Sequence, residues 1–190
     1  GPVAVAGAQE AAKAKVVTPG AAPVGRSREA IRAAVDKAAT SALGQLVKEL
    51  TDEADWMVRR GDHETALDLL GQVVADASDT AFSAEALSLA LAIALASRKD
   101  ASREDTLAWF ERWAAERGGK RDRIQARLLA LQQRYRDGGF VAARDGLRGF
   151  VAKHPDSELA PRARLLLALA TWRAGEREKA IALLGGLGAQ

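Results

Sequence analysis

Two histidines, one carboxylate cluster and no cysteine are all that this 190-residue chain offers for a reactive centre. His63 follows Asp62 at a helix start, and His154 precedes Pro155 in a turn. They lie 91 residues apart, and neither has a second ligand three or four residues on, as a helical metal site requires. Both read as surface or turn histidines. Without cysteine there is no disulfide, no thiolate metal site and no thiol nucleophile. Asp52, Glu53 and Asp55 stand on what reads as a solvated helix face. No glycine-rich phosphate loop follows a strand, and no Ser-His-Asp set is suggested. The expectation is a protein that is not an enzyme and has no cofactor and no bound metal.

A different chemistry emerges when four stretches are laid in register. Two residues before a turn glycine, or its counterpart, stand Arg59, Lys99, Arg136 and Arg173. The residues just before them are Val58, Arg98, Tyr135 and Trp172. This is a row of cations with two aromatics in its C-terminal half. Guanidinium groups are rigid forks that suit carboxylates, and large aromatics are common anchors of protein contacts. A second reading stands beside this one. Each position is near a helix C-terminus, where a cation relieves the helix dipole by a few tenths of a kcal/mol.

The elements that hold this row come from a repeated pattern. From Gly138 to Leu187 a glycine is followed by a small residue, then by large residues four and seven positions further on. Ala143, Leu147 and Phe150 form one such set, and Ala180, Leu184 and Leu187 form another 37 residues later. On a helix each set shares one face. Gly61 leads an earlier copy with Ala66, Leu70 and Val73, and a weaker one has Thr106, Phe110 and Trp113. The small positions are separated by 40, 37 and 37 residues, which signals a repeat array. Helices are predicted over 27–60, with a kink or split at Gly44, and over 62–76, 84–97 and 101–117. Four more follow at 121–136, 139–153, 158–173 and 176–187. Ser102 is the expected cap of the fourth, and Asp156 or Ser157 of the seventh. Trp56, Trp109 and Trp113 read as packing residues between helices.

Gly138, Phe140, Ala143, Leu147 and Pro155, and then Gly175, Ala180 and Leu184, fall in the order of the tetratricopeptide repeat. The stretch 45–187 resembles that family. The resemblance implies an all-α, antiparallel helix-pair solenoid with units at about 45–76, 80–117, 120–154 and 157–187, preceded by an N-terminal helix. Departures are plain: most large first-helix residues of the family are Ala or Leu here, and the second unit lacks the glycine. In that family such first-helix positions face a concave groove. The resemblance therefore implies a partner site of Arg59, Arg98, Lys99, Tyr135, Arg136, Trp172 and Arg173, holding a protein or peptide that carries acidic groups. The string Lys153-His-Pro-Asp-Ser-Glu-Leu-Ala-Pro is similar to the inter-repeat turn of bacterial envelope members. This favours a periplasmic or envelope-associated setting over a cytoplasmic one.

Composition agrees with a helical binding domain. Hydrophobic residues make up 48%, largely Ala and Leu, while aromatics are 5%, so helix is favoured over sheet. Charged residues are 28%, and no run of 18 apolar residues lacks a charge, which argues against direct membrane insertion. The net charge of +3 comes without a dense basic block, so nucleic acid is not an expected partner. Gly1-Pro2 reads as a protease-cleavage scar, and residues 3–26 as an Ala/Pro/Gly-rich linker or a tail laid on the helices. The expected function is a protein–protein interaction scaffold. A cytoplasmic scaffold domain of a larger protein, or an oligomer stacked end to end through Ile181, Leu184 and Leu187, are the alternatives.

Overall fold

The computed structural model describes residues 28–187, and these are all-α, with no strand among the described residues. The helices are α1 (Arg28–Arg59), α2 (His63–Asp76), α3 (Ala81–Ser97), α4 (Arg103–Arg117), α5 (Lys120–Arg136), α6 (Phe140–Lys153), α7 (Ala160–Arg173) and α8 (Arg177–Leu187). The chain divides into two units, Gly1–Ala39 and Thr40–Gln190. In the first, the described part is the beginning of α1. The second carries everything discussed below. The expected scar, the linker or fold-back tail of residues 1–26 and the start at Ser27 lie outside the described residues.

Local sequence sets most of the boundaries. Asp62 accepts from the Thr65 amide at 3.2 Å and caps α2. Thr80 and Ser83 cap α3 reciprocally. Ser102 caps α4 by accepting from the Asp105 amide at 3.0 Å, as expected. The turns after α1, α5 and α7 each need a left-handed residue, and glycine supplies it: φ is +83° at Gly61, +86° at Gly138 and +90° at Gly175. At α7 the expectation fails by a few residues. The Ser157 hydroxyl accepts from the Leu159 amide within the turn, and the helix begins only at Ala160, with Pro161 in its first turn.

Gly44 does not split the first run, because α1 is one helix of 32 residues. A side chain added at Gly44 would meet the Phe82 ring at 3.1 Å, so the glycine lets α3 approach α1 closely. Consecutive helices pack together from α2 onward, and α2 also meets α4, α3 meets α5, and α5 meets α7. The predicted inward sets are buried: Ala66, Leu70 and Val73 in α2, Thr106, Phe110 and Trp113 in α4, and Ala143, Leu147 and Phe150 in α6. Ala180 is buried too, but Leu184 is 41% exposed. Two hydrophobic clusters result. One joins α1 through α5, and the other joins α5, α6 and α7. Trp113 and Trp109 pack as expected. Trp56 does not: it is 54% exposed on the face of α1 opposite Val47 and Ala54, with the Arg60 guanidinium 4.6 Å over its ring.

Candidate partner-binding cleft

The row of cations does not form one surface. Arg136 is the last residue of α5 and lines a cleft with Leu91 and Leu95 of α3, Leu129 and Gln132 of α5, and Arg162 of α7. The cleft has a volume of about 220 Å³. Its floor is leucine, its walls are amides and cations, and no carboxylate lines it. Arg162 donates to the Gln132 carbonyl at 2.5 Å and ties α7 to α5 at the rim. Arg136 is exposed and has no ion pair among the described residues. An apolar segment with an acidic group would find both of its needs here.

The other predicted residues go elsewhere. Arg98 is the C-cap residue of α3 and lies 4.7 Å over the Trp109 ring, turned toward α4. Its Nε is buried without a hydrogen-bond partner. Lys99 follows it in the turn and is exposed, lining a hollow with Arg98 and Arg103. Arg59 pairs with Asp55 at 2.6 Å on the same helix. Tyr135 is half-buried and meets Phe140 edge-on at 5.4 Å, so it packs the α5–α6 turn. Arg173 lies 5.4 Å over the other partner of that pair, Phe140. Trp172 is 44% exposed, with Arg177 over its ring at 5.5 Å. Leu91, Leu95, Leu129, Gln132 and Arg162 were not read from sequence as partner-site residues. The same 37-residue register that found Arg136 places Leu95 and Gln132 at one repeat position, which was the available signal.

Beside the cleft, α4 and α5 are joined by ions. The Arg134 guanidinium grips the Glu104 carboxylate with Nε and Nη2, at 2.9 and 2.7 Å to one oxygen. Arg127 donates to both oxygens of Glu111 at 2.8 Å. The hydrogen bond from Arg134 is the main cause that holds Glu104 below its usual value of 4.5. A depressed carboxylate contributes stability above its unfolded pKa and loses it as pH falls through the folded one. Glu104 is largely exposed, so the effect is small. The parent should therefore lose slightly more stability than Glu104→Gln when urea midpoints at pH 7 are compared with those at pH 3. Equal losses would show that the pair does not couple to folding.

A second polar joint was not legible from sequence. Asp122, 1% exposed, accepts at Oδ2 from the Asp79 amide at 2.8 Å and the Ser78 hydroxyl and Gly119 amide at 3.1 Å. At Oδ1 it accepts from the Ser83 hydroxyl at 2.5 Å. In return the Asp79 carboxylate accepts from the Arg121 and Asp122 amides, at 2.8 and 3.1 Å, and caps α5. Asp79 has φ +60°. A side chain at Gly119 would run into the Asp79 carboxylate, and one at Gly118 into Asp122. The two glycines therefore do more than end α4: they admit the two carboxylates.

Among the described residues no group of three or more His, Cys, Asp or Glu is placed to hold a metal ion. His154 lies edge-on to Phe150, its ring centre 5.1 Å away. No described helix is long and apolar enough to cross a membrane. A scan against protein-family models and searches of curated proteins and of solved structures each returned no match.

Proposed function

We propose that the chain is a tetratricopeptide-like interaction scaffold that holds an acidic, partly apolar segment of a partner protein in the cleft of α3, α5 and α7. Its units are the C-terminal part of α1 with α2, then α3–α4, α5–α6 and α7–α8. The observation that carries this reading is the unpaired, exposed Arg136 above a leucine floor in a cleft without carboxylates. A carboxylate of the partner would complete a charge-assisted hydrogen bond there. The leucines would take an adjacent apolar side chain. Such a surface is formed before the partner arrives, so little ordering entropy opposes the contact. We place the scaffold in a bacterial envelope assembly, on the strength of the turn at 153–161.

Arg136→Glu tests the cleft. Partner capture from lysate of the source cell should fall by about tenfold or more, since a charged hydrogen bond is replaced by repulsion. The thermal midpoint should stay within about 2 °C, because surface changes cost little. Arg173→Ala should leave capture unchanged, since Arg173 stands over Phe140 and outside the cleft lining. Equal loss from both substitutions, or none from Arg136→Glu, would remove the cleft as the site.

A further inference from the structure

The hollow where α3 turns into α4 is lined by three cations and no carboxylate. It has a volume of about 280 Å³, and its lining is Leu95, Arg98, Lys99, Ala101, Arg103 and Thr106. Arg103 has Asp137 at 3.3 Å from its Nε. Arg98 and Lys99 have no ion pair among the described residues. The Trp109 ring, 4.7 Å from the Arg98 guanidinium, holds that fork in place, while its Nε is buried without an acceptor. A buried donor left unmet costs free energy that an acceptor would recover. The carboxylates nearby do not supply one. Glu104 is held by Arg134, Asp105 accepts from the Ser102 hydroxyl at 2.7 Å, and neither they nor Asp100 line the hollow. Arg103 and Thr106 stand in the first turn of α4, the positive end of its dipole.

We infer that this hollow binds a phosphate dianion, either inorganic phosphate or the phosphoryl group of a small phosphate monoester. Asp137 answers only one of the three positive charges, so a dianion matches what is left over. A phosphoryl group also brings three strong acceptor oxygens, enough for the Arg98 fork and the Lys99 ammonium together. Leu95 and Ala101 would border the organic part of a monoester. The remaining residues of this sequence are poor occupants: positions 1–27 and 188–190 bring Lys13, Lys15 and Arg26 against the single carboxylate side chain of Glu10. The hollow shares only Leu95 with the cleft of α3, α5 and α7 and does not rest on that reading.

The test titrates inorganic phosphate and phenyl phosphate separately into the whole chain at constant ionic strength. Nuclear magnetic resonance follows the Arg98 Nε–H and the amides of residues 98–106. Saturable shifts with Kd of about 1 mM or tighter are expected. Tighter phenyl phosphate would assign the site to a monoester, and tighter inorganic phosphate to the free ion. Acetate should bind about tenfold more weakly, since it has one charge and fewer acceptors. Lys99→Gln should weaken phosphate about fivefold or more. Arg173→Gln removes the same charge outside the hollow and should change it less than about twofold. Lys99 is exposed, so the variant's amide spectrum away from the hollow should match the parent's. No saturation by either phosphate up to about 20 mM, acetate binding as tight as phosphate, or equal weakening by Lys99→Gln and Arg173→Gln would overturn the inference.

Discussion

Asp122→Ala should destabilise the chain by about 3 kcal/mol, because it removes the acceptor of four hydrogen bonds from a buried joint. For a domain of this size that is a fall of about 6–12 °C in the thermal midpoint. The Asp79 and Gly119 amides and the Ser78 hydroxyl lose their partner at once, while the Ser83 hydroxyl keeps only the Thr80 carbonyl. Asp122→Asn should cost much less. Its amide oxygen can stand at Oδ2 and keep three of the donors. Its NH₂ would then face the Ser83 hydroxyl, which can turn its hydrogen to the Thr80 carbonyl 2.9 Å away and accept instead. Calorimetry on both variants checks this. Similar losses from Asn and Ala would mean that the charge, and not the hydrogen-bond geometry, holds the joint.

Leu147→Ala should cost about 3–4 kcal/mol, while Leu184→Ala, at the same repeat position, should cost about 1 kcal/mol or less. The chemistry removed is identical. What differs is the surroundings: Leu147 is wholly buried among α5, α6 and α7, whereas Leu184 is 41% exposed. The first substitution leaves a cavity walled by helices on each side. The second trims a surface already in contact with water. Chemical denaturation of the pair, with equal slopes in denaturant, measures the difference directly. Equal losses would show that the end face is covered within the monomer.

The helices were legible because their punctuation is local. Gly61, Gly138 and Gly175 stand at turns that require positive φ, and the small-large-large sets share one helical face whatever the partner. Gly44 misled because a helical glycine serves close approach as well as breaking, and the Phe82 ring that it admits is 38 residues away. The Asp79–Asp122 joint was out of reach for the same reason. Nothing near Asp122 in sequence distinguishes it from an ordinary acidic residue in a helix first turn. The row of cations was legible as positions but not as orientations. Whether a guanidinium lines the cleft or lies on a tryptophan depends on the neighbouring helix, as Arg136 and Arg98 show.

The helix α5 belongs to both hydrophobic clusters, through Ala126 and Ala130 on one side and Leu128 and Leu131 on the other. The carboxylate joint binds its first turn to the α2–α3 connection. Transient opening therefore has a natural boundary between α5 and α6, where α6 to α8 can unfold together while α5 stays with the earlier helices. The exposed leucines Leu165 and Leu184 lie on that segment. Any ligand that needs those helices folded would stabilise them and slow their exchange with solvent by mass action. Slower amide exchange along α6 to α8 would then report its binding.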